Sequence, residues 1–169
     1  MTQLPPASEL LTRMQSGIGE CIAGIDPARL AMVGIHTGGV WLAERLHHAL
    51  GMDAPLGRLD IGFYRDDFSR IGMHPRVRPS ELPFEVDDRI IVLVDDVLYT
   101  GRTVRAALNE LFDYGRPAAV RLAVMVDRCS RELPVCADVA GTRITLPAGQ
   151  AVRLSGPEPL TLSIERHDE

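Results

Sequence analysis

The chain has 169 residues, 46% of them hydrophobic, with a formal net charge of −5 at pH 7. This is one domain of ordinary size, residues 1–169, with apolar material for a full core, and the composition excludes a disordered chain. The acidic balance gives no global attraction to nucleic acid or to an anionic membrane, so a polyanionic partner would have to meet a local basic patch.

In chain order, residues 8–25 are read as a helix, with Ser8 as N-cap and Leu10, Leu11, Met14, Ile18, Cys21, Ile22 and Ile25 on one side. Residues 31–35 form a short buried strand, and His36, Thr37, Gly38 and Gly39 make a small-residue turn into a second helix carrying Val40, Leu42, Ala43, Leu46 and Leu50. Residues 56–63 alternate enough to be a strand. Residues 64–83 have no stable period and hold Pro75, Pro79 and Pro83 among Arg65, Asp66, Asp67, Arg70, Arg76 and Arg78. A segment of that length in a compact domain is expected to be a hood that closes over substrate. Residues 90–94, Ile-Ile-Val-Leu-Val, are a central strand covered on both faces. A third helix follows from Arg102, with Val104, Ala107, Leu108, Leu111 and Phe112 as its apolar stripe and Gly115 and Pro117 as its stop. Residues 118–126 are another buried strand, and the tail has β character at 135–139, 151–154 and 160–164. Alternation of strands and helices predicts an α/β fold with a mainly parallel central sheet.

Two acids, Asp95 and Asp96, end the central strand, and Val97, Leu98, Tyr99, Thr100, Gly101, Arg102 and Thr103 link it to the helix. Open α/β sheets place ligands at that end of a strand. Thr100 is expected as N-cap, Gly101 lets the backbone approach an anion, and the free amides of the first turn with the Thr100 and Thr103 hydroxyls suit a phosphate dianion. Adjacent carboxylates beside a phosphate raise each other's pKa and repel it, so they need partners, which ribose hydroxyls and a magnesium ion supply. A 5′-phosphorylated ribose spans that gap. Lysine is absent, all 18 basic residues being arginine, which excludes a Walker A loop and a Schiff-base lysine. A Rossmann dinucleotide site is excluded for lack of GxGxxG after a strand. Cys21, Cys129 and Cys136 match no zinc or CxxC spacing and fit reduced thiols. With no membrane span and no basic or apolar signal segment in residues 1–6, a cytoplasmic protein is expected.

The run from Asp95 to Thr103 resembles the phosphoribosyl pyrophosphate motif of the type I phosphoribosyltransferases. Further segments are similar to the PyrR family, bifunctional pyrimidine operon regulators and uracil phosphoribosyltransferases. They are Val33-Gly34-Ile35-His36-Thr37-Gly38-Gly39-Val40, Tyr64-Arg65-Asp66-Asp67, Gly115-Arg116-Pro117, and Asp127-Arg128 with Arg131-Glu132-Leu133-Pro134. The resemblance implies the type I phosphoribosyltransferase fold, with phosphoribosyl pyrophosphate, uracil and UMP as ligands and Mg²⁺ bound mainly through the pyrophosphate substrate, with no dedicated protein metal site. It gives Asp95 and Asp96 the ribose hydroxyls, residues 98–103 the 5′-phosphate, Thr37 and Gly38 the pyrophosphate loop, Arg65 the pyrophosphate itself, and Asp127 and Arg128 a place beside the uracil pocket. Catalysis would rest on positioning and charge neutralisation around an oxocarbenium-like transition state, with Asp95, Asp96 and Arg65 as the catalytic set. Hypoxanthine and guanine enzymes use a lysine to read the purine, so a pyrimidine is implied. The resemblance also implies regulation of pyrimidine genes through an mRNA leader contacted by Arg131, and a homodimer or higher homo-oligomer. Two departures bear on this. The family often has Thr-Arg-Gly where this chain has Thr37-Gly38-Gly39, and a basic-face arginine is replaced by Cys136. They leave an alternative, a UMP-sensing regulator that keeps the nucleotide site with little or no catalysis.

Overall fold

The computed structural model describes residues 3–62 and 79–166. The elements are α1 (Ala7–Ile22), β1 (Leu30–Ile35), α2 (Gly38–Leu50), β2 (Gly57–Leu59), β3 (Ile90–Leu98), α3 (Arg102–Asp113), β4 (Ala119–Asp127), β5 (Val139–Arg143), β6 (Gln150–Ser155) and β7 (Thr161–Arg166), with a 3₁₀ turn, Pro27–Arg29, before β1. Five strands form one parallel sheet in the order β2-β1-β3-β4-β5, and β6 and β7 pair antiparallel as a separate hairpin. The α/β expectation therefore holds. No described helix is long and apolar enough to cross a membrane.

β3 occupies the middle, bonded to β1 on one edge and β4 on the other, and its side chains divide the core. Ile91 and Leu93 pack with Val104, Ala107 and Leu111 of α3. Val92 and Val94 pack with Leu10, Met14 and Ile18 of α1 and Leu42 and Leu46 of α2. Alternation carries one apolar set to each face, which is why the strand has no polar residue until Asp95.

Several local expectations are corrected. Pro6, not Ser8, is the N-cap of α1, because the Pro6 carbonyl accepts from the amides of Glu9 and Leu10 at 3.0 and 3.2 Å. The helix stops at Ile22 instead of running to residue 25, since Gly24 turns to φ 77° and Asp26 caps the 3₁₀ turn through the Ala28 amide. β2 is only three residues long. Beyond it the Asp60 amide donates to Ser80 Oγ at 2.9 Å, a side-chain partner in place of a ladder. β3 runs through both acids to Leu98 instead of stopping before them. The strand expected at 135–139 begins only at Val139, because the Asp138 carboxylate takes the Leu122 amide and the Asp138 amide the Leu122 carbonyl. Phe112, assigned to the apolar stripe of α3, is 53% exposed, as it falls past the edge of the sheet-facing arc. Residues 64–78 of the hood expected at 64–83, Arg65 among them, lie outside the described residues. Its described end is anchored: Glu81 bridges Arg58 of β2 through two backbone bonds of 2.7 and 2.8 Å.

Beside that anchor Ser80 Oγ donates to Glu110 Oε1 of α3, while Glu110 Oε2 is buried with no hydrogen-bond partner among the described residues. Burial raises the Glu110 pKa above its ordinary value of 4.5; the Ser80 bond opposes the rise, and the charges of Asp60 and Asp113 add to it. A carboxyl with a raised native pKa binds its proton more tightly when folded. The stability it supports is therefore fully present below the unfolded value and lost as pH climbs through the native one. Glu110→Gln is expected to be at least as stable as the parent at neutral pH, with the difference shrinking toward about pH 4. Urea unfolding at the two pH values measures this, and a difference that does not change with pH would contradict it.

Candidate functional site

Two helix starts converge on the carboxyl end of β3. The first, α2, begins at Gly38 directly after β1, following a cis peptide bond between His36 and Thr37. It approaches so closely that a Cβ on Gly39 would lie 2.5 Å from the Val94 carbonyl oxygen, and one on Gly34 would lie 2.8 Å from Val40 Cα. Only glycine fits either place, and the approach brings the α2 N-terminus against the β3 backbone at the two acids.

The second start, α3, follows the turn at residues 99–101. Thr100 was expected to cap it, but the N-cap is Gly101 at φ 93°, a left-handed conformation that glycine adopts without strain. Thr100 acts one residue earlier, its Oγ1 accepting from the Arg102 amide at 3.2 Å. The first amide used within the helix is that of Arg105, to Gly101 O at 3.0 Å. The amides of Thr103 and Val104 thus head the helix without an intrahelical acceptor. The first turn holds no acidic residue, so its positive dipole end is uncompensated there.

A cavity of about 690 Å³ opens over this junction. It is lined by every residue from 95 to 103, with Thr37, Gly38 and Arg128, so most of the residues singled out in the sequence share one space. Asp95 is 5% exposed. Its Oδ1 accepts from the Asp96 amide and Asp96 Oδ1 from the Val97 amide, both at 2.9 Å, so each carboxylate is oriented by the backbone next to it. Asp96 lies over Gly38, where a Cβ would fall 2.4 Å from its Oδ2.

The third wall is the loop after β4. Arg128 is 6% exposed, with its guanidinium carbon 3.8 Å from the Tyr99 ring centroid. Its Nε is buried with no hydrogen-bond partner among the described residues. A desolvated cation over an aromatic face gains about 2 kcal/mol, yet an unmet buried donor costs about 1–3 kcal/mol, so this wall is suited to a ligand rich in acceptors. Asp127 is not on the cavity surface. Its carboxylate takes the Cys129 amide at 2.9 Å and Arg131 Nη2 at 2.5 Å, with Arg143 Nε at 3.7 Å. Arg131 also lies off the cavity lining, bonded to this carboxylate and to backbone carbonyls.

Sequence reasoning missed Trp41, Ile61, Glu132, and Ala151, Val152 and Leu154 of β6, all of which line the cavity. Glu132 belongs to the Arg-Glu-Leu-Pro segment and was within reach of motif reading. Nothing local signals that the tail hairpin folds back against the site. Among the described residues no three His, Cys, Asp or Glu side chains gather as a metal cage. Asp95 and Asp96 present hard oxygen atoms to the cavity, a donor type that suits a divalent cation whose remaining positions are filled by ligand oxygens and water.

Residues 7–149 match the family described as phosphoribosyl transferase domain. The chain is 57% identical over 161 residues to the bifunctional protein PyrR of Nitrosococcus oceani, covering 94% of this chain and 91% of that one. It is 55% identical over 159 residues to the protein of the same name from Pseudomonas aeruginosa, covering 94% of each. Among solved structures it is similar to the hypoxanthine phosphoribosyltransferase of Trypanosoma cruzi, with TM-score 0.69 and 16% identity over 99% of this chain and 98% of that one. It is also similar to a hypoxanthine-guanine phosphoribosyltransferase of Bacillus anthracis, with TM-score 0.66 and 15% identity over 85% and 84%. At those identities the likeness is one of fold.

The two glycines that open α2 should respond differently to a methyl group. Gly39→Ala meets a backbone carbonyl and is expected to cost about 1–3 kcal/mol by overpacking. Gly38→Ala meets the Asp96 side chain, which can move only by giving up its bond from the Val97 amide, and should cost less stability than a clash with backbone while displacing the Asp96 carboxylate. Urea denaturation of both variants measures this; equal costs would contradict the packing argument.

Proposed function

Since the chain belongs to the PyrR family of phosphoribosyl transferase proteins, we propose that it transfers the phosphoribosyl group of phosphoribosyl pyrophosphate to uracil, giving UMP and pyrophosphate. The observation that carries this reading is the single cavity joining paired carboxylates, an acid-free helix start and a buried arginine whose Nε has no partner among the described residues.

In this reading the 5′-phosphate lies against the turn at residues 100–103, where the Thr103 and Val104 amides and the threonine hydroxyls receive it. Asp95 and Asp96 accept from the ribose hydroxyls, their carboxylates already fixed by neighbouring amides, so little ordering entropy is lost on binding. Thr37 and Gly38, at the start of α2, face the pyrophosphate. Uracil lies toward Arg128 and Tyr99, where a base carbonyl meets the buried guanidinium. Arg65 is proposed to neutralise the leaving group. A uracil nitrogen forms its bond to C1 of the ribose as the bond from C1 to the pyrophosphate oxygen breaks, and the proton of that nitrogen passes to the departing pyrophosphate or to water. The protein's contribution is alignment and electrostatic stabilisation of a cationic ribose. Mg²⁺, carried mainly on the pyrophosphate, supplies charge neutralisation.

A regulatory role through an mRNA leader of pyrimidine genes belongs to the same proposal. Its support is the bifunctional designation of relatives more than half identical to this chain.

The test mixes the protein with phosphoribosyl pyrophosphate, Mg²⁺ and labelled uracil and follows UMP. Asp95→Asn and Asp96→Asn each remove a charged acceptor, and roughly a 10- to 100-fold fall in kcat/KM is expected for either. Turnover unaffected by both would sink the ribose assignment. No turnover in the parent, with UMP still bound, would favour a sensor without catalysis.

A further inference from the structure

The turn that cradles the proposed phosphate is held mostly from outside, by the loop that follows β4. The Arg128 amide donates to Leu98 O at 2.9 Å, and the amides of Glu132 and Leu133 both donate to Thr100 O at 3.0 Å. Arg102 Nε meets Glu132 Oε2 at 2.7 Å. The Tyr99 carbonyl is taken by Arg131 Nη1 at 2.9 Å, while the Tyr99 ring lies on Arg128. Gly101, in its left-handed conformation, is packed at 3.3 Å from Leu133 and Val135 as judged by an added Cβ.

Arg131 is the hub of this seam. Besides Tyr99 O, its guanidinium donates to Val135 O at 2.8 Å through Nε, to Ser130 O at 3.3 Å through Nη1, and to Asp127 Oδ1 at 2.5 Å through Nη2. Asp127 is the last residue of β4, 5% exposed and bonded to the Cys129 amide, so one end of the fork is anchored in the sheet. A guanidinium has five N–H groups in a fixed plane, and four bonds leave one for any outside acceptor.

We propose that Arg131 is a positioning residue of the nucleotide site: it clamps the phosphate turn to the end of β4, so that turn and base-side loop form one rigid receptor. This rests on the reading of the cavity as a nucleotide site. Arg131 lines no part of that cavity and acts through the Tyr99 carbonyl and the loop. Lysine cannot replace it, because three donors on one nitrogen cannot span a carboxylate, Tyr99 O and Val135 O together. An arginine whose task is to neutralise nucleic-acid phosphate would be replaced by lysine with far smaller loss. A receptor loosened in this way binds ground state and transition state equally poorly, so the loss falls on KM and leaves kcat.

The experiment compares full-length parent, Arg131→Lys and Arg131→Ala by three readings: KM and kcat with phosphoribosyl pyrophosphate, UMP affinity by calorimetry, and amide hydrogen exchange of residues 99–103 without ligand. Both variants are expected to raise KM and weaken UMP binding roughly tenfold, with kcat nearly unchanged, lysine no better than alanine, and faster exchange in that turn. If Arg131→Ala does not fold, Arg131→Lys carries the comparison. Parental KM and exchange in Arg131→Lys would overturn the proposal. If the parent itself neither binds UMP nor makes it, the nucleotide reading fails, and hydrogen exchange alone decides the clamp: faster exchange supports it and unchanged exchange removes it.

Discussion

β3 is bonded along both edges and covered on both faces, and the rest of the molecule is arranged around the problem of ending such a strand. A central strand can be apolar while its neighbours satisfy its backbone. At Asp95 the protein needs polar groups again, and the two carboxylates answer first to the amides of the residues that follow them. Glycines at 34 and 39 then let α2 press its start against the same strand end, and a left-handed glycine at 101 swings α3 away from it. Two positive helix ends and two carboxylates thereby share one concavity. The helix ends attract the carboxylates while the two adjacent carboxylates repel each other, and the arrangement suits a ligand with anionic ends and a hydroxylated middle.

What was legible in the sequence follows periodicity and short-range chemistry. The apolar run before Asp95, the stripe from Val104 to Leu111 and the small residues around Gly38 depend on neighbours within one turn, and they located the sheet, two helices and most of the cavity. The ends of α1 were misplaced by local geometry at Pro6, Gly24 and Asp26, and the other shifted boundaries came from partners far along the chain. Asp138 takes the Leu122 amide and delays β5, and Ser80 takes the Asp60 amide and ends β2 early. The cap at Gly101 in place of Thr100 reflects the loop at residues 132–135 packing on that turn. The contribution of Ala151, Val152 and Leu154 to the cavity depends on where the hairpin docks, and no local pattern carries that information.

The absence of lysine has a structural counterpart. Arginines here repeatedly serve as clamps on backbone carbonyls: Arg89 on Ala28, Leu30 and Glu85, Arg45 on Trp41 and Pro157, Arg13 on Gly141, and Arg131 on Tyr99 and Val135. A planar fork can hold two chain segments at once, which a point-like ammonium does less well. An all-arginine complement therefore need not indicate a polyanion-binding surface. These four arginines are occupied in holding chain segments to one another.

In the proposed reading a single cavity holds a whole nucleoside monophosphate, with phosphate, sugar and base laid in order from the α3 start, past Asp95 and Asp96, to Arg128. A crystal structure of the protein with UMP decides between this arrangement and others. Phosphate is expected on the amides of Thr103 and Val104, ribose hydroxyls on the two carboxylates, and a uracil oxygen on the Arg128 guanidinium. Phosphate bound instead at Thr37, or a base lying away from Arg128 and Tyr99, would contradict it.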